Sequence, residues 1–242
     1  MSEDSRYINF DTEREKRIGI AEAVFAEGKS LEEFRIVLED LRPLIPNSLF
    51  LFTRMNSDHF NLLKDSRFPI RTVDTNYRTA IVGEGDFKMR FNDPQVLIVS
   101  GGTSDLAIVE EISITLSYHG IPSIHAVDIG VANLERLKIA LQKIQKFRHS
   151  LKIIIAVAGF EGALFSVMNS VTKLPVIAVP SPQGYGLGGK GEAAMLSALQ
   201  SCSSGVVTVN IGNGFGAAMF AIKLLNHLNL MEEEFGSIFQ SQ

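Results

Sequence analysis

The 242-residue sequence contains one cysteine, no tryptophan and no apolar run as long as a membrane span. A lone cysteine cannot form an intrachain disulfide, and we expect such a chain in the reducing cytoplasm. The five histidines are scattered and no CxxC motif is present, so a protein-ligated zinc site is not expected. The acidic N-terminus has no apolar segment behind it, which argues against a secretory signal or transit peptide.

The sequence also has no excess of basic residues, because its 23 lysines and arginines are outnumbered by 27 aspartates and glutamates. The formal net charge is −4 and the isoelectric point is near 5.8, so nucleic acid is not expected as a partner. With 45% hydrophobic and 21% charged residues, the composition is that of a globular protein and not of a membrane or disordered one. The length allows one large domain or two smaller ones.

Residues 1–92 predict a small α+β domain. Ser30 and Glu33 form an S-x-x-E capping box before a helix with apolar residues at helical spacing, which ends near Pro43. Short apolar segments around this helix predict strands. A second short helix is expected to be capped by Ser57.

Residues 93–242 alternate short apolar runs with amphipathic stretches. The runs are apolar on both faces, which predicts strands buried in a parallel sheet with helices between them. Right-handed connections then give an open, doubly wound α/β/α sandwich of the flavodoxin type, with every strand-to-helix loop at one edge. The predicted strands are 96–100, 123–127, 152–158, 175–179 and 206–211.

Four of the five strand-to-helix loops carry two or more glycines. A tight turn is the ordinary explanation for any one such loop. Four at one ligand-binding edge instead predict an anionic, phosphate-bearing ligand held by backbone amides and helix N-termini. The loops read SGGTSDLAIVEE, GFEGALFS, PSPQGYGLGGKGE and GNGFGAA.

These segments resemble the LarB family, whose members carry a carboxylase domain similar to that of PurE, the aminoimidazole ribonucleotide mutase. The resemblance covers most of the chain and rests on five blocks in order. The blocks are EAVFAEGKSLEE, SGGTSDLAIVEE, VDIGVANLERL, VAGFEGALFSV and PVIAVPSPQGYGLGGKGEAAMLSALQSCSSGVVTVNIGNGFGAA.

The resemblance implies a reaction on nicotinic acid adenine dinucleotide and carbon dioxide or bicarbonate. The pyridinium ring is carboxylated at C5 and the phosphoanhydride is hydrolysed, giving pyridinium-3,5-biscarboxylic acid mononucleotide and AMP, the first step of nickel-pincer nucleotide biosynthesis. It further implies Mg²⁺ near the diphosphate, no organic cofactor, and a homo-oligomer, commonly an octamer.

Two residues carry the chemistry that the resemblance implies. Cys202 is the expected nucleophile, because addition of a thiolate to ring C4 makes C5 nucleophilic, and Glu161 is the expected base for the C5 proton. The alternative for Cys202 is a buried structural thiol, and the alternative for Glu161 is N-terminal helix capping. No histidine occurs between Phe160 and Ser170, where PurE enzymes carry an acid/base histidine, so the mutase reaction is disfavoured.

The resemblance also implies substrate contacts in the same loops. Ser104 and Asp105 match a phosphate- and ribose-contacting pair, and Asp128 is expected to orient a ribose hydroxyl or help hold Mg²⁺; helix capping is the alternative for all three. Tyr185 is expected to stack on the pyridinium or to pack in the core, and Lys190 to pair with a phosphate or carboxylate or to stay solvated. The remaining expected contacts are Gly159, Gly162, Gly188, Gly189, Asn213 and Gly214.

Four positions depart from the family pattern. Phe160 replaces a methionine, Gly212 replaces the aspartate of DNGFGA, Glu135 replaces a histidine, and Asn133 replaces a glycine. Two rival functions therefore stay open: a PurE-like carboxylase or mutase that acts on a purine-pathway nucleotide without covalent catalysis, and a nucleotide-binding paralogue without catalysis.

Overall fold

The computed structural model describes the backbone of residues 10–240 and the side chains of residues 10–231. The chain divides into two compact units, Met1–Lys88 and Met89–Gln242. The elements of the first unit are α1 (Arg14–Ile18), β1 (Ala23–Phe25), α2 (Leu31–Leu41), β2 (Leu49–Thr53), α3 (Ser57–Asp65), β3 (Ile70–Val73) and β4 (Ala80–Gly83). They form a mixed sheet in the order β1-β2-β4-β3, with β1 parallel to β2 and the other pairs antiparallel.

Local capping fixes where the two longer helices of this unit begin. The predicted capping box of α2 is present: Glu33 N donates to Ser30 Oγ at 3.2 Å, and Ser30 N donates to Glu33 Oε2 at 2.7 Å. The prediction for α3 is wrong by one residue, because Asn56 is the cap and accepts from His59 N at 2.8 Å. Ser57 already lies in the first helical turn.

The second unit has the predicted α/β architecture. Its elements are β5 (Val96–Ser100), α4 (Leu106–Tyr118), β6 (Ser123–Ala126), α5 (Leu134–Ile144), β7 (Ile153–Ala158), α6 (Ala163–Ser170), β8 (Val176–Pro180), α7 (Glu192–Leu199), β9 (Val206–Thr208) and α8 (Gly214–Gln240). The five strands are all parallel and lie in the order β6-β5-β7-β8-β9. This is the flavodoxin-like order, with crossovers in both directions from β5, so the sheet is doubly wound.

The sheet is covered on both faces. On one face, α5, α6 and α7 bury residues such as Leu137, Phe165, Met168 and Ala198 against the strands. On the other face, α4 packs against α8. Although α8 is 27 residues long, no helix in the described part of the chain is apolar over enough length to cross a membrane.

Two elements are shorter than the sequence predicts. The apolar spacing of the sequence predicts a helix over 131–146. Helix α5 begins instead at Leu134, because the side chain of Asn133 accepts hydrogen bonds from Glu135 N and Arg136 N and caps it there. Strand β9 ends at Thr208, and the segment up to Gly212 continues beside β8 without regular pairing.

Candidate functional site

A pocket of about 270 Å³ opens at the carboxyl-end edge of the parallel sheet. This is the edge at which parallel α/β folds bind ligands. Its walls come from the loops that follow β5, β6, β7 and β8. Its polar and glycine lining residues include Gly101, Gly102, Ser104, Asp105, Gly159, Glu161 and Gln183.

Asp105 is the buried carboxyl group of the pocket, with 3% of its surface exposed. Its Oδ2 accepts a hydrogen bond from Gly102 N at 3.0 Å. This bond, and not one from Ser104, caps the start of the short 3-10 turn Thr103–Asp105. Burial raises the pKa of Asp105, against the lowering effects of the nearby Ser181 hydroxyl and the Gly102 amide. Asp105 Oδ1 and the Ser181 hydroxyl do not meet hydrogen-bond geometry with each other or with another described group. Burial therefore makes ionisation of Asp105 less favourable than that of an exposed aspartate.

Glu161 lies in a tight turn between β7 and α6. Phe160 N donates to Gln183 O at 2.9 Å and Gly162 N donates to Gly159 O at 3.0 Å, which fixes the backbone on both sides. Gly162 is the N-cap of α6 and receives no side-chain cap. Glu161 therefore makes no side-chain capping hydrogen bond to α6, and it is an exposed residue of the pocket lining.

Gln183 is a pocket residue that the sequence analysis missed. Its carbonyl holds the Phe160 amide, and its Nε2 donates to the carbonyl of Ser104 at 3.4 Å. A Cβ at Gly159 would lie 2.5 Å from Gln183 O, so this position requires glycine. Gln183 thus connects the loops after β5, β7 and β8. Its presence in a glycine-rich loop was visible in the sequence, but no motif marked its side chain.

The loop after β6 lines part of the pocket, but its acidic residue, Asp128, is not among the lining residues. Asp128 has a left-handed backbone, φ 58°, and its Oδ2 lies 2.6 Å from Arg136 Nη1 in an ion pair. Because Asn133 caps α5, the alternative of Asp128 as the helix cap is wrong. Asn133, which stands where the family pattern has glycine, thus serves as the N-cap of α5.

The carboxylates near the pocket are the side chains that bear on the expected Mg²⁺. The described residues contain no group of three His, Cys, Asp or Glu side chains placed to hold a metal ion. Asp128, the expected contributor, has its carboxylate engaged by Arg136. Mg²⁺ prefers an octahedral shell of oxygen ligands, which commonly includes substrate phosphates and waters beside one or two carboxylates.

The expected contacts in the loop after β8 lie outside the pocket lining. Tyr185 is 85% exposed and meets Phe160 edge to face with ring centroids 6.0 Å apart, so its alternative as a core residue is wrong. Lys190 is exposed and has a left-handed φ of 57°. Gly188 and Gly189 serve close packing, since a Cβ at Gly188 would lie 2.6 Å from Ala193 Cβ.

The loop after β9 starts α8 and also stays outside the pocket lining. Asn213 Oδ1 caps the helix by accepting from Gly216 N at 2.8 Å. Gly214 is buried against Glu111, whose Oε2 accepts from Phe215 N at 3.1 Å. No sequence motif marks Glu111, a buried acid within an amphipathic helix. Gly212 has φ 65° with open space where a Cβ would stand.

Cys202 is not brought to the pocket within one chain. It lies between α7 and β9, and a loop that precedes a parallel strand lies at the edge opposite to the loops that follow strands. The loop is held there by α6: Ser201 Oγ is 2.8 Å from Ser166 Oγ, and Asn169 Nδ2 donates to Ser203 Oγ at 2.7 Å. The thiol is exposed, so the alternative of a buried structural cysteine is wrong.

Comparisons with known proteins match both units. The model of the AIR carboxylase family matches residues 95–235, and that of the LarB/PurE-like N-terminal domain matches residues 2–83. An uncharacterized protein of Methanocaldococcus jannaschii is 34% identical over 219 residues, which is 88% of this chain and 82% of that protein.

Two further matches are confined to part of the chain. An N5-carboxyaminoimidazole ribonucleotide mutase of Pyrococcus horikoshii is 32% identical over 138 residues, which is 57% of this chain and 75% of that protein. The crystal structure of a PurE2 variant from Treponema denticola is 23% identical with a TM-score of 0.45, and the match covers 62% of this chain and 96% of that one.

Proposed function

Because the chain belongs to the LarB family of PurE-like carboxylases, we propose that it carboxylates the pyridinium ring of nicotinic acid adenine dinucleotide. In this proposal carbon dioxide or bicarbonate supplies the new carboxylate at C5. Hydrolysis of the phosphoanhydride then gives pyridinium-3,5-biscarboxylic acid mononucleotide and AMP, the first step of nickel-pincer nucleotide biosynthesis.

The observation that carries the proposal is the charge of the pocket lining. Glu161 and Asp105 are its two ionisable side chains, and none of the described residues that line it is lysine, arginine or histidine. Such a lining attracts a cationic ring, and a pyridinium is cationic, whereas the aminoimidazole of the PurE substrate is not. Nor does the lining hold the imidazole that PurE enzymes use as acid and base.

The chemistry requires a thiolate and a base in sequence. The Cys202 thiolate adds to ring C4 and the ring electrons move to nitrogen, which leaves a neutral enamine. Ring C5 then attacks carbon dioxide and forms the new carbon–carbon bond. Glu161 removes the C5 proton, and the nitrogen electron pair expels the thiolate from C4 to restore the aromatic pyridinium. The net change is replacement of the C5 proton by a carboxylate.

Because Cys202 lies at the sheet edge opposite to Glu161 in one chain, the proposal requires that a neighbouring copy supply the thiol. Apolar side chains flank Cys202 on the surface: Leu199 is 59% exposed and Val207 is 42% exposed. Others surround the pocket mouth, where Phe160 is 55% and Tyr185 is 85% exposed. Contact between two such different patches of identical chains is heterologous, and it generates a closed ring when the rotation between copies closes.

The size of the pocket is consistent with a site completed by a neighbour. Its volume of about 270 Å³ lies below the roughly 300–1,000 Å³ of pockets that enclose whole drug-sized ligands. In this proposal the pocket holds the ring end of the dinucleotide, and the adenylate end lies outside it. We therefore propose a homo-oligomer in a reducing cytoplasm, with Mg²⁺ carried by the diphosphate of the substrate and not by a protein site.

The proposal is tested by incubating the protein with nicotinic acid adenine dinucleotide, bicarbonate and magnesium, and following AMP and the carboxylated mononucleotide by mass spectrometry. Appearance of both products supports it. Tight binding without products would establish a nucleotide-binding paralogue, and turnover of an aminoimidazole ribonucleotide instead would establish the PurE-type reaction. Products that persist in Cys202→Ala would remove the covalent step alone.

A further inference from the structure

We propose that Gln183 is the specificity-determining residue of the pocket, and that its side-chain amide recognises the carboxylate at ring position 3 of the substrate. The inference rests on the proposed function, because it assigns the ring end of the dinucleotide to this pocket. Gln183 is not among the site residues that the motifs or the resemblance indicate.

The position of Gln183 suits a role in recognition. Its backbone is fixed, because its carbonyl accepts from Phe160 N at 2.9 Å and contacts the Gly159 backbone closely. The side chain extends across to the loop after β5, where Nε2 donates to Ser104 O at 3.4 Å. This is a long hydrogen bond at the limit of useful geometry, so a substrate acceptor can replace it at little cost.

The charge of the pocket creates the need for such a residue. Glu161 and Asp105 attract the ring cation, but they repel the carboxylate that the same ring carries. Among the described residues that line the pocket, Gln183 alone has a side-chain N–H group. A neutral amide donates to the substrate carboxylate without weakening the attraction of the pocket for the ring cation. An arginine or lysine would weaken that attraction.

The prediction distinguishes two natural dinucleotides. Nicotinic acid adenine dinucleotide carries a carboxylate at ring position 3, and NAD carries a carboxamide there. In Gln183→Glu the donor becomes an anion, which repels the carboxylate but still accepts a hydrogen bond from the carboxamide. Because hydrogen bonds to charged groups are the stronger ones, we expect the preference for the acid over NAD to fall by about 10- to 100-fold.

The experiment measures Kd for both dinucleotides by calorimetry without bicarbonate, so that no carboxylation occurs, and kcat/KM for both with bicarbonate. The full chain is compared as wild type, Gln183→Glu and Gln183→Met, which removes the donor without adding charge. Gln142→Glu on the exposed face of α5 is the matched control, since it adds the same charge away from the pocket.

A preference that falls in both Gln183 variants and stays within twofold in Gln142→Glu supports the proposal. An unchanged ratio of the two Kd values in the Gln183 variants overturns it, even if the wild type turns over the acid dinucleotide. Selective binding that depends on Gln183 without any turnover supports this inference and contradicts the proposed carboxylation. Failure of the wild type to bind either dinucleotide overturns both.

Discussion

Asn169 Nδ2 lies 2.7 Å from Ser203 Oγ and 2.9 Å from the carbonyl oxygen of Ser204, which ties the end of helix α6 to the loop that carries Cys202. The same helix begins directly after the Glu161 turn. Its eight residues span about 12 Å at 1.5 Å per residue. One short helix therefore holds the base loop at one sheet edge and the thiol loop at the other.

Asn169→Ala should release the thiol loop. Both hydrogen bonds from Nδ2 are lost, and misplacement of a reacting group by about 1 Å costs on the order of 100-fold in rate. We expect kcat to fall by tenfold or more with KM changed less than twofold, and amide hydrogen exchange in residues 201–205 to become faster. Steady-state kinetics and exchange mass spectrometry check these outcomes.

The control for this variant is Ser170→Ala on the same helix. Its hydroxyl donates to Val167 O within α6 and is exposed, so the loop contacts are untouched. Equal loss of kcat in both variants, or unchanged exchange in residues 201–205 of Asn169→Ala, would contradict a positioning role for Asn169.

Two inactive variants should restore activity when mixed. Cys202→Ala lacks the nucleophile and Glu161→Gln lacks the base, and each is expected to lose at least about 100-fold in kcat, since a base alone usually contributes on the order of 100- to 10,000-fold. If neighbouring copies share a site, reassembled mixtures contain some sites with both groups intact. We expect product formation well above that of either variant alone, measured after dissociation and reassembly. Mixtures as inactive as their components would show that the two groups do not meet between copies.

Gly159→Ala should destabilise the second unit. The added Cβ would lie 2.5 Å from Gln183 O and 2.8 Å from Gln183 Cβ, so the loop after β8 must move. We expect the free energy of unfolding to fall by about 1–3 kcal/mol, as for other overpacked sites. Urea denaturation followed by circular dichroism measures it.

The matched variant is Gly101→Ala in the neighbouring loop. There the nearest atoms to a new Cβ are 3.7 Å away, which is ordinary contact distance. We expect its stability to stay within about 0.5 kcal/mol of the wild type. A loss in Gly101→Ala as large as that in Gly159→Ala would refute the steric explanation.

Asp105→Asn should stabilise the protein at neutral pH. Burial raises the pKa of Asp105 in the folded state above its usual 3.8. Its stabilising contribution is thus fully present below that usual value and is lost as the pH rises through the folded pKa. Asparagine keeps the oxygen that accepts from Gly102 N but never ionises. We expect a higher free energy of unfolding than the wild type at pH 7 and no difference at about pH 3. Urea denaturation at both pH values measures this difference. A stability advantage of Asp105→Asn that is larger at about pH 3 than at pH 7 would contradict the prediction.

The sequence alone determined the architecture of the second unit and the edge at which its loops gather. Runs that are apolar on both faces, such as 152–158, are best explained as buried parallel strands, and right-handed connections then fix the edge at which loops such as GFEGALFS emerge. Local signals also sufficed for the capping box of Ser30. They failed at Ser57, because the neighbouring Asn56 is an equally good cap.

Only the tertiary structure decided what the loops do. Gln183 connects the Ser104 and Phe160 loops through contacts between residues far apart in sequence, which no local pattern encodes. Cys202 and Glu161, both marked by sequence motifs, lie at opposite edges of one sheet, because one precedes a strand and the other follows one. Motif spacing records which residue types are present, whereas their separation depends on the direction in which each strand crosses the sheet.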